Sequence, residues 1–218
     1  MENETNQKKK ACRIKGNREI ATGVHLLTFE RPGIFLAGQM VWLSLEENGP
    51  ARLYSIFSGE RDHDMEVLFD VKPQGQLTPR LAGVKAGGFV FSSQPFGSFT
   101  GTRGPEVWIA AGTGIAPFVS RIRSGNSFPK HMIHGGRDLL SFYGSEWFNG
   151  KEEYIRCSSR TESEGIYWGR VTDFLLKEYK PLGCPHLICG SAEFVVDVRD
   201  VLISQGLGYD LIVSEIYF

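Results

Sequence analysis

The chain has 218 residues, 41% apolar and 12% aromatic, enough to bury one large core or two small ones. Its formal net charge of -1 lacks the basic excess of a general nucleic-acid binder, and no apolar run approaches the roughly 18 residues of a membrane-spanning helix. The four cysteines, Cys12, Cys157, Cys184 and Cys189, form no C-x-x-C pair and the five histidines show no ligand spacing, so no metal or iron–sulfur centre is expected and a reducing cytoplasmic compartment fits.

Residues 1–10 are polar and lysine-rich with no apolar segment behind them, and read as a frayed tail. Short runs rich in β-branched and aromatic residues follow at 11–14, 24–30, 41–45, 53–57, 65–71 and 89–92, separated by turn signals, which is the spacing of an antiparallel barrel. One short helix is expected at 77–82, with Thr78 as N-cap and Pro79 in its first turn. After a linker at 100–105 the pattern changes. Apolar strands at 107–111, 131–134, 154–158, 186–189 and 211–214 alternate with amphipathic segments at 116–124, 139–148, 171–179 and 192–205, the last closed by Gly206. The expected fold is α+β in two domains: an antiparallel β-barrel over 1–100, then an α/β doubly wound parallel sheet over 101–218.

The first strand of the second half runs into Gly112-Thr113-Gly114-Ile115-Ala116-Pro117. Glycines at a strand-to-helix turn admit a pyrophosphate to the backbone, and the free N–H groups beyond attract an anion. Where an NAD-preferring fold places an acid at the end of its second strand, this chain has Arg137. Arg160, preceded by Ser159, and Arg170 follow at the ends of later segments, so three guanidiniums are available to a 2′-phosphate, although each alone also reads as a surface charge. In the first half, Arg52-Leu53-Tyr54-Ser55 alternates, placing Arg52 and Tyr54 on one face. That pattern suits a flavin, with Tyr54 against the isoalloxazine, Arg52 at the pyrophosphate and Ser55 at the redox-active edge. Gly75-Gln76-Leu77-Thr78 offers a second phosphate cradle. The chain ends in Glu215-Ile216-Tyr217-Phe218, just past the last expected strand. Cys189 reads either as a strand-end core thiol or as a nicotinamide contact.

The order and spacing of these motifs, together with His134-Gly135-Gly136-Arg137, Gly169-Arg170-Val171 and Cys189-Gly190, resemble the bacterial-type branch of the ferredoxin/flavodoxin NADP reductase family. The resemblance spans nearly the whole chain after residue 10. It implies an FAD-binding barrel and an NADP-binding α/β domain. It further implies that Arg52, Leu53, Tyr54, Ser55, Gly75, Leu77 and Thr78 contact FAD, and that Phe218 occupies the place of an aromatic stacked on the FAD adenine. Gly112, Thr113 and Gly114 would form the NADP pyrophosphate loop, and Arg137, Ser159, Arg160 and Arg170 the 2′-phosphate clamp. Ser55, Cys189, Glu215 and Tyr217 would flank the reacting rings. Relative to the family, the loops around residues 94–98 are trimmed.

The implied activity is hydride exchange between NADP(H) and FAD and single-electron exchange with ferredoxin or flavodoxin, by a monomer that uses neither nucleic acid nor membrane. An acidic carrier would be steered by cations such as Lys72, Arg80, Lys85 and the Lys8-Lys9-Lys10 segment. Two other readings stay open: an NADH-dependent reductase component of an oxygenase system, and a flavin-binding electron-transfer subunit without nicotinamide turnover.

Overall fold

A computed structural model describes residues 8–102, 104–126 and 128–217. The chain divides into two units, residues 1–100 with 116–126 and residues 101–115 with 127–218.

The first unit is an antiparallel sheet of β1 (Lys10–Ala21), β2 (Val24–Glu30), β3 (Met40–Ser44), β4 (Arg52–Ser55), β5 (Asp64–Asp70) and β6 (Phe89–Ser92). Its order is β4-β3-β6-β1-β2-β5, and a bridge from Ile56 to Val67 joins the outer strands and closes the sheet into a barrel. Closure removes the exposed edges that invite aggregation. Alternate residues point inward, and Ile14, Leu27, Phe29, Val41, Leu43, Met65 and Val67 fill the core. The short helix α1 (Thr78–Ala82) seals one end through Leu81, and the Asn17 amide donates to the Leu81, Ala82 and Val84 carbonyls at 3.0–3.1 Å.

α2 (Ala116–Arg123) clusters with this unit. Arg123 binds Asp62 at 2.6 Å and Glu66 at 2.5 Å, and the Ser120 hydroxyl donates to the Ser58 carbonyl at 2.6 Å. The sequence carries β1 further than expected, through Lys15-Gly16-Asn17-Arg18-Glu19. That stretch is too polar for an apolar count to find, yet it is held in register against β2 with irregularities beside Gly16 and Glu19.

The second unit is a parallel sheet of β7 (Val107–Ala111), β8 (His131–Gly136), β9 (Tyr154–Ser158), β10 (Tyr167–Trp168), β11 (His186–Ser191) and β12 (Ile212–Tyr217), in the order β10-β9-β8-β7-β11-β12. The chain steps outward from β7 to β10 and returns on the other side of β7, which makes β7 the point of reversal. One face is covered by α3 (Val171–Lys177) and α4 (Ala192–Ser204) through Val171, Leu175, Val195, Val198 and Leu202. An antiparallel β-barrel unit and an α/β unit with a reversing parallel sheet are therefore both present, as the sequence pattern requires.

Two local expectations fail. Residues 139–148 are not an α-helix but two 3₁₀ turns, Leu139–Ser141 and Ser145–Trp147. The Asp138 carboxylate accepts from the Leu140 N–H at 3.0 Å and the Ser141 hydroxyl at 2.9 Å, and Gly144 takes a left-handed φ of 70° between the turns, which no α-helix accommodates. Their Phe142 and Phe148 rings instead pack on His134 and Tyr154. Thr78 does not cap α1, because its hydroxyl accepts from the Lys72 N–H at 2.9 Å while Leu77 occupies the cap position without a side-chain bond.

Candidate functional site

In the first unit, Arg52 at the start of β4 is exposed and donates to the Ala51 carbonyl at 2.9 Å. Leu53 lies opposite Trp42 on the outer side of β3, and Tyr54 opposite Val41 on the inner. Tyr54 is 8% exposed, edge-on to Phe69, and its hydroxyl is buried with no partner among the described residues. Burial raises its pKa, with Arg52 opposing weakly, so the phenol stays a neutral donor. A buried hydroxyl of this kind costs free energy until a polar group reaches it. Ser55 is buried opposite Met40.

Gly75, Lys72 and Thr78 form one tight turn: the Gly75 N–H donates to the Lys72 carbonyl at 2.8 Å, and a side chain at Gly75 would press on that carbonyl and on the Thr78 hydroxyl. Leu77 is buried beside it. A cavity of about 330 Å³ opens here, lined by Leu45, Glu46, Gly49 and Pro50 on one side and Gln76, Leu77 and Arg80 on the other. One rim ends at Pro50, two residues before Arg52, and the other flanks Thr78 on both sides. Two of the proposed steering cations are engaged locally, Lys72 with Asp70 at 2.6 Å and Arg80 with Glu46 at 2.8 Å, and Lys9 donates to the Glu47 carbonyl.

In the second unit, Gly112–Ile115 forms a 3₁₀ turn directly after β7, with Gly112 in the left-handed region at φ 56°. Gly114 must be glycine for a second reason, since a Cβ there would overlap the Cys189 carbonyl at the end of β11. The turn, Thr113 included, therefore sits at the carboxyl edge of β7 against that of β11, where open α/β sheets bind ligands.

The basic residues collect on the other side of β7. Beyond the pairing of β8 with β9, the Ser159 N–H donates to the Gly136 carbonyl at 3.1 Å and the Arg160 N–H to the Arg137 carbonyl at 2.9 Å, so Arg137 and Arg160 are backbone neighbours. The Ser158 hydroxyl donates to the Arg137 carbonyl at 3.3 Å and accepts from the Thr161 N–H at 3.2 Å, fixing the loop. The Gly169 N–H bonds the Ser158 carbonyl at 2.9 Å, which puts Arg170 at the carboxyl end of β10. Asp173, which sequence reasoning overlooked, accepts from the Arg170 N–H at 3.0 Å. An acid three residues after a helix start was the available signal. Arg137, Ser159, Arg160 and Arg170 thus follow the ends of three adjacent strands, and the link between them is a two-residue strand, β10, too short to be seen in a sequence.

Cys189 and Glu215 are register partners in β11 and β12, with the thiol 3.9 Å from the carboxylate, and Tyr217 pairs with Ser191. The Cys189 thiol is fully buried, and desolvation followed by the Glu215 charge raises its pKa well above the usual thiol value, which makes it a neutral packing group rather than a nucleophile. Glu215 is 7% exposed. Phe218 lies outside the described residues. Among the described residues no cluster of His, Cys, Asp or Glu could hold a metal ion, and no helix is long and apolar enough to cross a membrane.

No family model matches the chain, but individual proteins do. A flavodoxin/ferredoxin–NADP reductase of Rhodobacter capsulatus is 32% identical over 209 residues, covering 79% of this chain and 77% of that protein. A propane 2-monooxygenase reductase component of Mycolicibacterium smegmatis is 31% identical over 153 residues, covering 63% of this chain and 44% of that protein. Among solved structures, a ferredoxin NADP+ reductase from Neisseria gonorrhoeae with bound FAD and NADP aligns with a TM-score of 0.87 over 97% of this chain and 99% of that one, at 20% identity. With a relative this similar over more than three quarters of its length, the chain belongs to the flavodoxin/ferredoxin–NADP reductase family of oxidoreductases.

Proposed function

We propose that this protein binds FAD in its barrel unit and NADP(H) in its α/β unit, transfers a hydride between them, and exchanges single electrons with ferredoxin or flavodoxin. The observation that carries the reading is the backbone bond between Arg160 and Arg137, which makes two arginines neighbours on the same sheet edge that holds the Gly112–Ile115 turn. A dianionic 2′-phosphate answers that charge, whereas the hydroxyl of a non-phosphorylated cofactor does not. In the barrel, the partnerless Tyr54 hydroxyl and the exposed Arg52 guanidinium fit a ligand that carries both a polar ring system and a pyrophosphate.

When bound, the two cofactors supply the redox chemistry; the chain's own residues bind, orient and exclude water. Arg52, Leu53, Gly75, Leu77 and Thr78 are assigned to the flavin nucleotide, Tyr54 to the isoalloxazine, and Ser55 to its polar edge. Gly112, Thr113 and Gly114 present backbone N–H groups to the nicotinamide dinucleotide's pyrophosphate. Arg137, Ser159, Arg160 and Arg170 hold the 2′-phosphate. Cys189 and Glu215 line the nicotinamide position, and Tyr217 is the aromatic that gives way to the incoming ring. Because hydride transfer depends on alignment more than on proton movement, a neutral Cys189 thiol suits that place.

An acidic carrier accounts for the single-electron step, and a cytoplasmic monomer with its four cysteines free is the state in which we expect the protein to act. The second reading, an NADH-dependent reductase component of an oxygenase system, draws support from the similarity to the Mycolicibacterium protein. The ratio of kcat/KM for NADPH to that for NADH, with ferredoxin and flavodoxin as acceptors, separates the two. A ratio well above one with reduction of either carrier supports the first, and a ratio below one without carrier reduction supports the second.

A further inference from the structure

We propose that Asp138 is a positioning residue for coenzyme selection: its carboxylate fixes the peptide from which Arg137 projects, so that the guanidinium meets a 2′-phosphate without its backbone first being ordered. This rests on the 2′-phosphate reading of Arg137 and adds what holds that arginine in place. β8 ends at Gly136 and the chain turns back at once. The Asp138 Oδ1 accepts from the Leu140 N–H at 3.0 Å and from the Ser141 hydroxyl at 2.9 Å, and the Asp138 carbonyl accepts from the Ser141 N–H at 3.1 Å. The Asp138 N–H in turn reaches the Ser141 hydroxyl at 3.4 Å. These bonds close a box over residues 138–141, folded so tightly that a Cβ on Gly136 would lie 3.0 Å from the Ser141 Cβ.

Arg137 is anchored on its other side as well. Its carbonyl accepts from the Arg160 N–H at 2.9 Å and from the hydroxyl of the fully buried Ser158 at 3.3 Å. The backbone of Arg137 is therefore pinned while its side chain is exposed. Binding then orders only the side chain, and the cost of fixing the backbone is met in folding. The charge of Asp138 works against this role, because an acid beside a dianion repels it. What the residue contributes is an acceptor oxygen, which an amide supplies equally. An acid at the end of a second strand is also the group that accepts a ribose 2′-hydroxyl in NAD-preferring folds. The two bonds that Oδ1 already takes within its own turn favour the positioning role, and the two roles give opposite outcomes when the residue is replaced.

The test uses the full-length flavoprotein, as parent, Asp138→Ala and Asp138→Asn. Steady-state kinetics with NADPH and with NADH, using ferricyanide as acceptor, are paired with calorimetric titration of adenosine 2′,5′-bisphosphate, which reads the phosphate site without turnover. In the alanine variant KM for NADPH should rise about three- to tenfold with kcat unchanged, and the bisphosphate should weaken by the same factor. Turnover of NADH should stay within about twofold of the parent, which a general loss of stability in the α/β unit would not allow. The asparagine variant should bind the bisphosphate at least as tightly as the parent. A change in the NADPH to NADH ratio of less than about threefold, an equal fall with both coenzymes, or an asparagine variant as weak as the alanine one would overturn the inference and leave the 2′-phosphate reading intact. Loss of NADH turnover alone would overturn it in favour of a bond from Asp138 to the 2′-hydroxyl. A parent that does not prefer NADPH would overturn both the inference and the reading beneath it.

Discussion

Acidification provides a sharp test of how the α/β unit is held together. His134 on β8 is fully buried, its Nδ1 3.0 Å from the Tyr154 hydroxyl and its ring edge-on to Phe142. Desolvation, aided by the charge of Arg156, lowers its pKa from 6.5 to about 3. A histidine with a depressed folded pKa takes up its proton first in the unfolded chain, so its contribution is intact above pH 6.5 and is lost progressively as pH falls towards 3. At 1.36 kcal/mol per unit, going from pH 7.5 to 5.0 costs roughly 2 kcal/mol from this residue alone.

Urea unfolding at those two pH values on the parent and on His134→Gln, whose amide accepts the Tyr154 bond without titrating, isolates the effect. His131 and His186, also lowered chiefly by burial, titrate in both proteins and cancel. The parent should lose about 2 kcal/mol more than the variant; equal losses would show that His134 does not stay neutral inside the sheet.

Further expectations concern the site. Replacing Arg137 and Arg160 together by alanine should lower kcat/KM for NADPH by about 10- to 100-fold, the scale of one or two charge-assisted hydrogen bonds, and leave NADH turnover within a few-fold; steady-state kinetics with both coenzymes decides. Gly114→Ala sets a Cβ against the Cys189 carbonyl and should cut NADPH-dependent activity at least about tenfold, through a backbone shift costing roughly 1–3 kcal/mol, with FAD still bound. Arg123→Met leaves Asp62 and Glu66 without their shared cation and should destabilise the barrel unit by roughly 1–2 kcal/mol in chemical denaturation. Native thiol titration near pH 8 should detect Cys184 alone, because Cys12, Cys157 and Cys189 are buried and burial lifts Cys12 to about 11 and Cys157 to about 12; denaturant should then expose all four.

Much of this architecture is legible in the sequence because its strands are built from residues that have to be buried. Val24–Glu30, Val107–Ala111 and Tyr154–Ser158 appear where β-branched and aromatic runs place them. The features that escaped are those decided by a single local bond or by pairing. The 3₁₀ turns near Leu139 follow from the Asp138 carboxylate and the left-handed Gly144, which outweigh an apolar spacing that looks helical. Thr78 has the right side chain for a cap, but the Lys72 N–H claims it first. The polar half of β1 is a strand because β2 holds it in register from Gly16 to Ala21, whereas β6 pairs only with residues 10–13.

For the candidate site, motif order names residues but not their company. That Arg137 and Arg160 share a backbone hydrogen bond, that Arg170 joins them through β10, and that Gly114 lies beneath the Cys189 carbonyl are consequences of parallel register, which a linear sequence does not display. The cavity at Leu45 and Arg80 is likewise made by two segments far apart in the chain.

The most direct measurement is the absorbance of the purified protein, reconstituted with FAD and mixed anaerobically with NADPH. The account predicts a bound-flavin spectrum that bleaches on mixing, faster with NADPH than with NADH, and that recovers when an oxidised carrier protein is added. A protein that takes up no flavin, or one whose flavin stays oxidised in excess NADPH, would contradict it.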